Sequence, residues 1–175
     1  MKRSDIDPMP EYFDRYIDRI EDIELMDALR QGLKEIENFP VQKWLELGDR
    51  VYAPGKWTVR DTIQHLVDTE RIFTYRSMCF ARNDKSEQPF IDEALHATYA
   101  NANNRRLEDI IEEYRVARQS FIMLFETFTD EMLLRKAVSF KGSYNVLSIG
   151  FMIPGHQRHH IKLLEDKYYP LMENK

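Results

Sequence analysis

Between residues 105 and 128, Leu107, Ile110, Ile111, Tyr114, Ala117, Phe121, Leu124, Phe125 and Phe128 recur at three- and four-residue steps. Glu108, Glu112, Glu113 and Arg115 face away from them. A single apolar stripe of that length commits the chain to a helix of about 24 residues, ~36 Å long, that needs an apolar surface to lie against. The same period recurs over residues 23–39, with Leu25, Leu29, Leu33 and Ile36 on one face and Pro40 just beyond. Residues 11–18 predict a short helix before it. A third long helix is expected to open at Thr58, an N-cap with Asp61 in capping-box position, after the turn at Pro54-Gly55, and to run to about Ala81. A fourth starts near Ser143 or Asn145 and reaches about Tyr168, where Pro170 stops it. β-branched runs are scarce, so the fold class is all-α.

Four long helices in 175 residues predict a single-domain four-helix bundle. The stretches between the helices opening near Ile23, Thr58 and Arg105 are about 20 residues each, long for a compact domain unless they carry short helices. Residues 40–49 and 91–100 have such patterns, and at least one long crossover over a bundle end is expected. With 43% hydrophobic and 12% aromatic residues the chain can bury a core and is not disordered. A net charge of −5 gives no general attraction to phosphate backbones, which argues against a nucleic-acid partner. One cysteine cannot form an internal disulfide or a Cys-rich zinc site, and fits a reducing, cytoplasmic setting. The N-terminus has no apolar segment of a secretory signal, and the most apolar run, residues 146–153, is far short of the ~20 residues that cross a bilayer. A membrane partner is therefore not expected.

The chemistry rests on the histidines: His65, His96, His156, His159 and His160. His156 and His160 stand at i and i+4, on one helix face about one turn apart, a spacing at which two imidazoles chelate one metal ion. They share a sector with Ile149, Met152, Ile153 and Leu163, so they point at the core, where hydrogen-bonded packing is the competing role. His159 lies on the flank of that sector, either supporting a ligand from behind or exposed. A third ligand would come from another helix, and His65 is the natural candidate. Its helix has two stripes: Ile63, Leu66, Val67 and Phe73 on one side, and His65, Thr69, Ile72, Arg76 and Cys79 on the other. Periodicity alone leaves open whether His65 faces inward. Three neutral imidazoles suit zinc, nickel, cobalt or iron(II) and leave positions for water or substrate. Gln157 stands where H-E-x-x-H peptidases carry their general base, and an amide cannot take that role.

Other groups have two readings each. Glu70 is either half of a core-edge salt bridge or a carboxylate orienting a ligand histidine. Arg76 either holds an anionic substrate group or buries its stem and pairs with a carboxylate. Cys79 lies ~21 Å along the helix from His65, too far to share its metal, and reads as a buried structural thiol. His96 reads as surface. Pro154 inside the last helix predicts a kink, with Gly155 easing close approach.

The stretches Pro54-Gly55-Lys56-Trp57-Thr58, His65-Leu66-Val67-Asp68-Thr69-Glu70-Arg71, Phe80-Ala81-Arg82-Asn83-Asp84-Lys85, Asn101-Ala102-Asn103 and Gly155-His156 onward resemble the DinB-like superfamily of metal-binding four-helix bundles. The similarity spans about residues 10–170. It implies that His65, His156 and His160 hold one divalent metal, zinc or nickel foremost, with iron, cobalt or manganese as further fits. It also implies a homodimer acting on a small molecule. Relatives include thiol transferases that use bacillithiol, mycothiol or glutathione, and proteins described as metal-dependent hydrolases. Where relatives often carry Glu after the first late histidine, this chain has Gln157, so any proton-transfer role there is lost or moved; Glu70, Gln157, His159 and Arg76 are the candidates for supporting roles. The leading expectation is transfer of a low-molecular-weight thiol to an electrophilic small molecule. Hydrolysis with water as the nucleophile is the alternative, and a metal-binding scaffold without activity is a third.

Overall fold

The computed structural model describes residues 1–139 and 142–173. A 3-10 turn (Arg3–Asp5) precedes α1 (Asp14–Ile17), α2 (Leu25–Glu37), α3 (Val41–Leu47), α4 (Val59–Ala81) and α5 (Glu93–Tyr99). A second 3-10 turn (Ala102–Asn104) leads to α6 (Leu107–Phe125) and α7 (Asp130–Leu134). The hairpin β1 (Lys136–Ser139) and β2 (Gly142–Asn145), α8 (Val146–Lys167) and α9 (Pro170–Glu173) complete the chain.

Local chemistry sets the helix ends. Thr58 caps α4: its Oγ1 accepts from the Asp61 amide, and the Asp61 carboxylate accepts from the Thr58 amide. Asn145 opens α8 by accepting from the Ser148 amide at 2.8 Å, which decides between the two expected starts. Ser143 is instead in the hairpin, a small antiparallel element that helical periodicity did not signal. Helix α2 begins at Leu25 because Glu24 is held extended in a bridge to Lys2. Helix α6 stops at Phe125, short of Phe128, because Thr129 turns the chain as N-cap of α7; the Phe128 ring still packs 5.1 Å from that of Phe125.

The long helices α2, α4, α6 and α8 form the bundle. Each of α2 and α4 packs against both α6 and α8. Helices α2 and α4 are therefore diagonal, as are α6 and α8. Two connections cross the bundle ends: one carries α3, the other carries α7 and the hairpin. The short α1 lies along α8. Gly155 makes that approach feasible, since a Cβ there would meet the Tyr16 carbonyl oxygen at 2.0 Å. Helix α8 continues through Pro154 without a break in its helical assignment.

The apolar interior is divided. One cluster joins Leu29, Phe80, Phe121, Phe125, Phe151 and their neighbours; the other joins Trp44, Ile63, Tyr114, Leu164, Tyr168 and theirs. Between the two, every long helix contributes polar groups or close backbone: Gly32 and Glu35 on α2, Glu70 on α4, Arg118 on α6, and His156, Gln157 and His160 on α8. This mid-bundle layer positions the site.

Candidate metal centre

Helix α4 supplies His65 and helix α8 supplies His156 and His160, and their Nε2 atoms converge. His156 Nε2 lies 3.3 Å from that of His65 and 3.0 Å from that of His160. Ligand nitrogens of all three lie within 4.8 Å of one another. Exposures are 7, 6 and 9%. A tetrahedral ion with metal–nitrogen bonds of ~2.0–2.1 Å separates its nitrogen ligands by about 3.3 Å, so the spacing fits a divalent ion with only small adjustment. The donor chemistry points the same way. His156 Nε2 offers either one proton or one lone pair, so neutral imidazoles alone cannot give both of its short contacts a full hydrogen bond. His160 Nδ1 is buried with no hydrogen-bond partner among the described residues.

Burial lowers the His65 pKa to about 4, with Asp68 acting weakly against it. Burial also holds His156 and His160 well below the ordinary range, reinforced by the neighbouring histidines. All three are neutral at pH 7, the form in which imidazole ligates metals. Aromatic rings brace them. Trp57 sits 4.8 Å from His65 and lies nearly parallel to His160 at 6.5 Å, and the Tyr16 ring meets His156 edge-on at 4.9 Å. The Tyr168 hydroxyl donates to the Trp57 carbonyl and holds that loop against the last turn of the bundle.

The other sequence candidates separate. His159 is half-buried on the flank, its ring 5.2 Å from Tyr16 and 5.1 Å from His160, beside the triad and outside it. Gln157 points away from the histidines. Its Nε2 donates to the Gly32 carbonyl at 3.1 Å and to Glu35 at 2.9 Å, and its Oε1 accepts from the Tyr114 hydroxyl at 3.1 Å. Glu70 does not orient a histidine: it accepts from Arg118 Nε at 2.5 Å and Nη2 at 3.1 Å, with both side chains almost wholly buried. This is the salt-bridge reading, set in the centre of the core where its edge was expected. Desolvation raises the Glu70 carboxyl, partly offset by the charge and hydrogen bonds of Arg118. Cys79 is buried in the apolar cluster and His96 is exposed, both as expected.

A cavity of about 70 Å³ opens beside His156, lined among others by Phe13, Tyr16, Thr69, Ile72, Phe73 and Arg76. Arg76 thus faces the cavity and has no salt bridge among the described residues. Thr69, Ile72 and Arg76 of the second α4 stripe therefore form one side of this cavity. Sequence reasoning missed Tyr16 and Trp57, whose role depends on contacts across elements. It also missed Arg118, although a charged residue four after Tyr114 and three before Phe121 on the buried face was a readable signal.

Comparison with known proteins then bears on the family. A model of the DinB superfamily matches residues 24–164. YfiT from Bacillus subtilis, a probable metal-dependent hydrolase with an unusual four-helix bundle topology, superposes with a TM-score of 0.69 at 17% identity, over 92% of this chain and 88% of that one. The mycothiol-dependent maleylpyruvate isomerase superposes with a TM-score of 0.61 at 11% identity, over 79% of this chain and 60% of that one. At these identities the likenesses speak for the fold. No curated protein matches the chain.

Proposed function

This chain belongs to the DinB superfamily, and from that premise we propose that it is a divalent-metal-dependent enzyme that transfers a low-molecular-weight thiol to an electrophilic small molecule. The observation that carries this reading is the convergence of three buried, neutral imidazole nitrogens beside a cavity. His65, His156 and His160 would hold the ion, zinc or nickel foremost. A bound divalent cation would supply positive charge that lowers the pKa of a thiol or water held next to it.

The chain's own residues do the rest. Trp57 packs against the His65 ring and Tyr16 against the His156 ring, and Tyr16 and Phe73 give the approach to His156 an aromatic wall. The only cysteine is buried in the apolar cluster, so a reactive thiol would have to arrive as cosubstrate. Glu70 is committed to Arg118, and Gln157 is an amide held by Gly32, Glu35 and Tyr114, so neither moves protons at the triad. The likeness to the mycothiol-dependent isomerase supports the thiol reading, and the longer likeness to YfiT favours hydrolysis as the second reading. The family resemblance further supports a homodimer. A cytoplasmic setting rests on the single unpaired cysteine; no described helix is long and apolar enough to cross a membrane.

Elemental analysis of protein purified without added metal is expected to find about one ion per chain. His156→Ala and His160→Ala should lose it and His159→Ala should keep it; a wild type as metal-free as the variants would sink the assignment. With metal in place, turnover of a haloaromatic or epoxide that requires bacillithiol, mycothiol or glutathione supports transfer. Thiol-independent turnover of an ester or amide supports hydrolysis instead, and no turnover of either kind leaves a metal-binding scaffold.

A further inference from the structure

His65, Thr69, Ile72 and Arg76 stand at i, i+4, i+7 and i+11 on α4, so one helix face carries both a triad histidine and a guanidinium about 16 Å farther along the axis. Arg76 lines the same cavity as His156, with Phe13, Tyr16 and Phe73 supplying aromatic wall. The volume, about 70 Å³, is several times the ~10–15 Å³ that one water requires by the same kind of measure, which suits a small molecule.

The state of Arg76 is the informative part. Among the described residues no carboxylate lies within ion-pair distance of it, although most of the chain's arginines do have such partners. It is held in place by other means: Nη2 donates to the Pro89 carbonyl at 2.7 Å, and the guanidinium carbon lies 5.2 Å from the centre of the Phe73 ring. An arginine has five N–H donors, so these contacts fix its direction and leave most of its donor capacity and its charge to a ligand. Glu93, exposed on α5, is the acidic residue that also lines the cavity.

We propose that this cavity is a subsite for a small apolar or aromatic molecule bearing one carboxylate, with the carboxylate held by Arg76 and the apolar body lying along the aromatic wall toward His156. For the reaction, this rests on the proposed function and names the class of its electrophile; the binding itself needs only the cavity.

The test measures binding of cinnamate, cinnamamide and cinnamylamine to metal-depleted protein by calorimetry, so that direct coordination of the carboxylate to a metal contributes nothing. Cinnamate should bind about tenfold or more tightly than the amide, the advantage of charge-assisted hydrogen bonds in a partly buried site. Arg76→Leu should erase that preference, Arg76→Lys should keep part of it, and Glu93→Gln should preserve or enlarge it. If Arg76→Leu fails to fold by circular dichroism, Arg76→Gln and the lysine variant give the same comparison. Equal binding of acid and amide, a preference that survives loss of the guanidinium, tighter binding of the amine, or binding of none of the three would overturn the proposal. Metal content is measured separately. A chain that holds no metal yet prefers cinnamate removes the enzyme reading and leaves the subsite; a chain that holds metal without that preference does the reverse.

Discussion

A Cβ on residue 155 would sit 2.0 Å from a backbone oxygen of α1, and backbone cannot swing aside as a side-chain tip can. In an open helix Gly→Ala gains roughly 1 kcal/mol. At this position the sign reverses: Gly155→Ala should destabilise by about 1–3 kcal/mol as α1 is forced off α8, measured by urea unfolding. Because Tyr16 braces His156, the same variant should also bind zinc more weakly, whereas a packing role alone would leave zinc affinity unchanged. Gly32 has a related constraint, since a Cβ there would meet Arg118 Nη1 at 2.3 Å. Neither contact can be read from spacing. The i, i+4 pair His156 and His160 could be, because both residues belong to one rigid helix. His65 was open until α4 was placed beside α8.

Helix α4 carries its start signal in its own sequence, and that start lies two turns before His65. The Thr58 hydroxyl also meets the Asn103 side-chain oxygen at 2.7 Å, while Asn103 donates to Asp61 at 3.0 Å, so the cap joins the 102–104 turn to the helix. Thr58→Ala should cost about 1 kcal/mol, at most about 2, in chemical denaturation. Thr58→Ser should keep most of it, which separates the hydroxyl's part from the methyl's. A metal on the triad would tie α4 to α8. Zinc at about 100 times its dissociation constant should then add about 2.7 kcal/mol of stability, read as a rise in melting temperature. The rise should be absent in His65→Ala. Element existence was legible here because stripes and caps are local. The hairpin at 136–145 was not, since strands of four residues carry too short an alternation to stand out from helical flanks.

Across the whole molecule, the Glu70–Arg118 pair joins α4 to α6, Tyr114 and Gln157 carry the hydrogen bonds to α8, and Glu35 receives them on α2. Removing one charge leaves the other buried: Arg118→Met should cost about 3–5 kcal/mol, and replacing both, Glu70→Leu with Arg118→Met, should recover most of that loss. Comparable destabilisation in the single and double variants would show that packing, and not charge, is the issue. The sequence by itself determined which long segments are helices, where α4 begins, and which two histidines share a face. Those properties follow from interactions within about one helical turn. Only the tertiary structure decided that α2 lies diagonal to α4, that Glu70 pairs with Arg118 rather than a histidine, and that Arg76 and His156 line one cavity. Each of those joins residues far apart in the chain, and one helix's periodicity gives its faces without saying which neighbour each face will meet.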